Sequence, residues 1–495
     1  MADGARLKFD VSLRGTSHPA LTFAFFRLAR VVGAATLALG LGLFACARDG
    51  AFQERGLPAD LPRYLGQLKA LKVPSEVASL AWIPTTLQEL DASGTKIESI
   101  SFVPMGMERL DLHGAKNLKQ LPTLPSSIRE LDIRFTQIVG PWRFPHELEF
   151  LALGGDRVET LNGLSSLQLR ELRLEKVTNL QSTAGLPVSL QILSISDATF
   201  LQLIELPPQL KELRLENTQV RTLKGLPASL HSMSLLGNSV IEAELPRHLL
   251  SLAMKDNRQR LLNLDTLAFL NHLEFQDWVR LQRFPAFLRN LQVPFLRQDM
   301  RVPPTVRRLR VGGATVLPRL PLGLEEFTWP EGADLTSLPA GLKHLAIPSS
   351  SLVDLSGLPP GTRLESLDVS LTDIPIHMLP DSLLSLRYRF CGFSSLSGLP
   401  SQLRSLDLEG SVDVHVLEAL PSRLEHLDVS ETSITELPAL PGALTELDIS
   451  NTPIDNLQGL RGLLRLRRLT VHAGQLKRLA GLPASVSELR FVDRR

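Results

Sequence analysis

The forty residues Pro421–Leu460, PSRLEHLDVSETSITELPALPGALTELDISNTPIDNLQGL, state one pattern twice. The first copy is Leu424-x-x-Leu427-Asp-Val429-Ser-x-Thr432-x-Ile434 and the second is Leu444-x-x-Leu447-Asp-Ile449-Ser-x-Thr452-x-Ile454. Working outward, the second leucine of the pattern recurs through Leu406, Leu386, Leu367, Leu345 and Leu309 towards Leu131, Leu110, Leu90 and Leu68, and forwards to Leu469 and Leu489. Met233 and Phe327 stand in for it. The period is roughly 20 residues, giving about 22 units over residues 61–495, so a prior of one domain per 100–200 residues does not apply.

The spacing dictates the geometry. In L-x-x-L-x-L alternate residues point to opposite faces, so Leu427 and Val429 face one way and His426 and Asp428 the other. A single unit cannot bury its leucines; stacking the units does. Five residues past the marker leucine runs a column of Thr95, Thr136, Asp156, Thr218, Asn238, Asn257, Thr372, Cys391, Ser411, Thr432 and Thr452. Side chains of this kind satisfy backbone groups left unpaired where a strand turns, which makes Cys391 a buried structural residue. Leu-Pro marks the return of many units, as at Leu121-Pro122, Leu186-Pro187, Leu206-Pro207, Leu399-Pro400, Leu420-Pro421 and Leu482-Pro483. Proline fixes φ and removes a donor, and so short a unit has no room for a full helix there.

These motifs resemble the bacterial LPX subtype of leucine-rich-repeat proteins, and the LP-x-S-L-x-x-L-x-L-x-x-T-x-I run resembles the repeat region of plant TIR-type immune receptors. The resemblance implies an α/β-class solenoid, mostly β: a horseshoe with a concave parallel sheet and an extended or 3-10 convex side. It also implies a protein-binding surface, because the fold itself is functionally generic. Some LPX effectors carry a ubiquitin-ligase domain with a catalytic cysteine; here the cysteine within the array is Cys391, in the turn column.

Residues 1–45 read differently. Arg6, Lys8, Arg14, Arg27 and Arg30 precede the apolar run VVGAATLALGLGLFA, Val31–Ala45, which ends at Cys46. At that length the run is short of the roughly 20 residues of a membrane span. Positive residues ahead of a short apolar core have the layout of a secretory signal. Leu43-Phe44-Ala45-Cys46 resembles a lipobox, which implies lipidation of Cys46, a linker over 46–60, and an outer-membrane preference from Ala47. A retained apolar anchor and a cytosolic chain are the alternatives. The lipoprotein reading places the protein at a membrane, in the periplasm or on the cell surface; the LPX resemblance offers instead an effector secreted into host cells.

Composition narrows the chemistry. Lys+Arg number 53 against 52 Asp+Glu, so no basic excess argues for nucleic acid. The chain has no G-x-x-x-x-G-K-[ST] loop, no G-x-S-x-G elbow, no C-x-x-C and no H-E-x-x-H. No catalytic, metal or cofactor site is expected. What remains is the polar face of the sheet. Asp91, Asp111, Asp132, Asp368, Asp407, Asp428 and Asp448 follow their markers, Glu89 precedes one, and Arg173, Arg214, Arg310 and Arg387 intrude. Two readings stay open: a self-neutralised solvated face, and a striped surface suited to a protein partner with a basic patch. The aromatics Phe269, Phe275, Trp278, Phe284, Phe287, Phe295, Phe327 and Trp329 collect mid-array, read as core filling or as a contact patch. The last strand, near Leu489 and Phe491, reads as an open edge that invites an edge-to-edge homodimer.

Overall fold

A computed structural model describes residues 8–12 and 70–492 apart from gaps, the longest being 256–266, 276–283 and 473–481. Cys46 and the apolar run before it lie outside the described residues, as do Trp278 and Asn257.

Among the described residues the repeat strands, one short strand per unit, form together with Lys8–Ser12 a single 23-stranded parallel sheet. Register is strict: Leu406, Leu427 and Leu447 pair side by side, as do Leu90, Leu110 and Leu131. A one-residue slip would turn every leucine to solvent, so burial alone fixes this alignment. Leu427 is 2% exposed and Val429 fully buried, whereas His426 and Asp428 are half-buried on the other face. One register correction concerns the first unit. Leu71, not Leu68, stands opposite Leu90. The motif there is Leu68-x-x-Leu71-x-Val73, so Leu68 is its first leucine rather than its second.

After most of the described strands the chain turns on a residue with positive φ, four places past the marker. Gly94, Gly114 and Gly410 take it, and so do Phe135, Leu371, Phe390, Glu431 and Asn451. The next residue locks the turn. Thr95, Thr136, Thr372, Thr432 and Thr452 each donate Oγ1 to the carbonyl three residues back, at 2.6–2.8 Å. All are buried, so an unpaired carbonyl there would carry its full desolvation cost. Cys391 fills the same column, its Sγ 3.2 Å from the Arg389 carbonyl and its N–H bonded to Ser411 Oγ. Asp156 departs from the column: it is exposed, and Val158 provides the buried contact there.

The proline returns are tight turns. Pro421 and Pro441 each accept the N–H of the residue three places on, Leu424 and Leu444, at 3.1 Å. That residue is the first leucine of the next motif, so the turn delivers it directly into the core. Among the described residues there is no α-helix, only 3-10 turns at Ile376–Met378 and Gln458–Leu460. A second pairing, Thr222–Leu223 with Glu242–Ala243, links two return segments. The interior is one continuous apolar cluster from Leu80 to Val486. Each buried leucine contributes about 1.5–3 kcal/mol, most of it through contact with adjacent units.

Of the mid-array aromatics, Phe275, Phe327 and Trp329 fill the core, while Phe269 and Phe287 stand 57% and 63% exposed. The C-terminal edge is not open. The strand Glu488–Val492 pairs on its outer side with Lys8–Ser12, which also pairs with Ala70–Lys72 at the start of the array. Sequence reading placed those five residues in the leader.

Candidate functional site: the concave sheet

Strict register turns the position after each marker into a continuous row. Asp91, Asp111 and Asp132 are consecutive neighbours on adjacent strands, and Asp132 is followed by Ala152 and Arg173. Arg214 lies between Ser194 and Ser234, and Arg310 between Gln292 and Thr328. On the far side of the array Asp368, Arg387, Asp407, Asp428 and Asp448 are consecutive. Glu89 belongs to the parallel row on the other side of the marker, next to Arg109. The sequence-named residues therefore share one face, but as two separate acidic runs and scattered arginines rather than one cluster.

The aspartates have a structural task that sequence reading missed. Each accepts the backbone N–H two residues on: Ser93 to Asp91, His113 to Asp111, Ser370 to Asp368, Glu409 to Asp407, Ser430 to Asp428 and Ser450 to Asp448, at 2.9–3.2 Å. At three of these turns the serine hydroxyl donates to the same oxygen, at 2.7 Å for Ser370 and 2.6 Å for Ser430 and Ser450. This is an Asx turn closing the strand. The Asp-x-Ser spacing in Asp428-Val-Ser430 and Asp448-Ile-Ser450 carried that signal.

Arginines neutralise part of the face. Arg387 reaches Asp368 at 3.2 Å and Asp407 at 3.5 Å. Arg389 reaches Asp407 at 2.5 Å and Glu409 at 2.7 Å. Arg134 bonds Asp132 at 2.6 Å and also pairs with Glu175. Burial works against the Arg134 charge, yet hydrogen bonding and charge from Asp132 and Glu175 outweigh it and push its pKa up. Arg173 and Arg214 each turn back to the glutamate two residues earlier, Glu171 and Glu212, at 2.7 Å, and Arg173 also lies over the Phe150 ring. Arg310 is exposed. Arg134, Glu175, Arg389 and Glu409 all sit three places past a marker, one step along the same alternation.

The middle of each acidic run keeps its strain. Burial, then Asp132 and Asp91, raise the Asp111 carboxyl from 3.8 to about 6, against the N–H of His113. Asp428 is likewise raised, by burial first and then by Asp448 and Asp407, against its bonds from Ser430. Asp407, Glu409 and Asp428 approach one another closely enough to hold a cation. The guanidinium of Arg389 already spans the first two, so the positive charge at that point is the protein's own.

The repeat and its register define a leucine-rich-repeat solenoid fold. No protein-family pattern matches the chain. Over 264 residues, 52% of the chain, it is 26% identical to the disease resistance protein RRS1 of Arabidopsis thaliana, and it spans only 17% of that protein's length. Among solved structures, YopM from Yersinia enterocolitica WA-314 is similar at 23% identity, 86% coverage of this chain and 87% of that one, with a TM-score of 0.32. CroV588, described as a novel circular LRR protein, is similar at 20% identity, covering 86% and 73%, with a TM-score of 0.36. The TLR13–ssRNA13 complex is similar at 17% identity, covering 84% and 76%, with a TM-score of 0.49. These likenesses concern the fold alone.

Proposed function

We propose that the chain is a non-enzymatic scaffold, an exported bacterial lipoprotein of LPX type tethered through Cys46, whose concave sheet binds a protein partner bearing a basic patch. The observation that carries the binding part is the run Asp407–Asp428–Asp448. Its register holds like charges on neighbouring strands, and burial, followed by repulsion from Asp448 and Asp407, raises the Asp428 carboxyl. A lysine or arginine from a partner would relieve that repulsion, whereas partners of the same sign would be repelled. Support for export comes from the basic leader, the apolar run and the lipobox-like Leu43–Cys46, with Ala47 favouring the outer membrane. The Leu-Pro signature supports a second reading, an effector or adaptor translocated into a host cell.

Acyl labelling of the expressed protein, wild type against Cys46→Ala, with membrane fractionation, separates the two. Label in the wild type that disappears in the variant is the expected result. An unlabelled, uncut, soluble chain overturns the tether and puts the effector reading first. Partner capture is then tested by cross-linking the wild type and Asp428→Lys at the cell surface. Equal capture by both overturns the acidic row as the docking surface.

A further inference from the structure

The strand Lys8–Ser12 occupies an unusual place. It runs parallel to Glu488–Val492 over its whole length, from Lys8 opposite Glu488 to Ser12 opposite Val492. On its other side Lys8 stands opposite Ala70 and Phe9 opposite Leu71. One five-residue segment therefore pairs with both ends of the repeat array. Its sequence, KFDVS, carries the alternation of a repeat strand. Phe9 falls in the marker column beside Leu489 and Leu71, and Val11 falls beside Phe491. Phenylalanine already substitutes for the marker leucine at Phe327.

We propose that Lys8–Ser12 is a clasp: an extended strand seated in a slot between the first and last repeats, which closes the sheet into a ring in the intact chain. Two observations point to a slot rather than a chance contact. Both flanking strands face it in parallel register, and the segment matches the polar–apolar–polar–apolar order of Glu488–Phe491, with Phe9 opposite a leucine on either side. Without it, each end of the sheet would bare a row of backbone N–H and C=O groups, the hazard that edge strands carry. With it, both rows find partners, and edge-to-edge pairing with a second copy has no free edge to use. Closure also rearranges the concave charges. Asp448 is followed by Thr470, Arg490 and Asp10, and Lys72 leads into Asp91. The two acidic runs, far apart along the chain, become the two ends of a single arc.

The clasp precedes Cys46, so cleavage ahead of that cysteine would remove it and bare both edges. That step rests on the lipoprotein reading; the clasp itself does not. Ring and lipid-tethered chain are then mutually exclusive forms.

The test uses the full chain with Cys46→Ser, so that its outcome is independent of lipidation. Ser12→Cys is combined with Val492→Cys, or with Ser196→Cys as a control at the equivalent position of a distant repeat, and treated with a short bismaleimide at low protein concentration. The expected result is an internal bridge between positions 12 and 492. Its yield should exceed the control by on the order of tenfold, since a neighbour in the same chain has a far higher effective concentration than one in solution. Adding Asp10→Pro, which removes a donor from the strand, should bring the yield down to the control level. A yield no higher than the control overturns the clasp, and so does a bridge between two chains, which would assign the slot to a second copy. Hydrogen exchange on the unmutated chain provides a second measurement. Slow exchange in Glu488–Val492 that becomes fast in Asp10→Pro supports the clasp, and equal exchange in both overturns it.

Discussion

Asp111→Asn should make the protein more stable at pH 8 and leave it unchanged at pH 4. Asp111 lies between Asp91 and Asp132 on adjacent strands, and burial together with those two charges raises its carboxyl from 3.8 to about 6. Its neighbour Asp132 finds counter-charge in Arg134, at 2.6 Å. A raised carboxyl favours the protonated fold. Its contribution is full below the unfolded value of 3.8 and is lost as pH rises through about 6. At 1.36 kcal/mol per unit the shift corresponds to about 3 kcal/mol as a ceiling, and water on the concave face reduces this to about 1–2 kcal/mol. Asparagine keeps an oxygen for the His113 N–H, held at 3.0 Å, so the turn survives while the charge goes. The assay is denaturant unfolding of wild type and variant at both pH values, with hydrogen exchange on residues 89–136, because a repeat array can open locally. A variant no more stable than wild type at pH 8, or one that gains equally at pH 4 and pH 8, would refute the assignment of strain to this carboxylate.

Thr432→Val removes the 2.6 Å bond to the Val429 carbonyl in a buried turn. It should cost about 1–2 kcal/mol in urea unfolding, with Thr432→Ser recovering most of it. Gly163→Ala should destabilise more than Gly94→Ala. Both glycines have positive φ, but a Cβ at 163 would lie 2.6 Å from the Trp142 carbonyl oxygen, while one at 94 meets nothing. Gly94→Ala should cost about 1 kcal/mol, from φ alone, and thermal melts of the two variants give the difference. Cys391 is buried, and burial raises its thiol above the ordinary value. It should resist iodoacetamide at pH 8 in the folded protein and react fully in guanidinium.

The repeat was legible because each of its positions answers to one physical demand. The marker leucines must be buried, the threonine column must satisfy a carbonyl, and the proline must start the return turn; all three recur at Leu427, Thr432 and Pro421 as at Leu447, Thr452 and Pro441. The charged face was legible only as a list of outward positions, because pairing depends on which strand lies beside which. Arg389 meets Asp407, eighteen residues on, solely because their strands are neighbours. The turn role of the aspartates, by contrast, is local, and its signal stood in the Asp-x-Ser spacing of Asp428-Val-Ser430 and Asp448-Ile-Ser450.

The strand at Lys8–Ser12 was missed for a different reason. A lone repeat strand is five residues of alternation, too short to stand out beside the apolar run that follows it, and phenylalanine in place of leucine removes the motif's strongest letter. Its match shows only when Phe9 is set beside Leu489 and Leu71. Closure then changes what the concave charges can do. In an open array Asp91–Asp132 and Asp407–Asp448 would sit at opposite tips and meet different partners. Joined through Lys8–Ser12, they face one interior from a single arc, with Arg173, Arg214 and Arg310 on other strands of the same row. A basic partner held by both runs would therefore lose affinity when either is neutralised. A partner that uses one run alone would respond to Asp428→Asn and ignore Asp111→Asn, so affinity measured for these two variants and their double decides between ring and open array from the binding side.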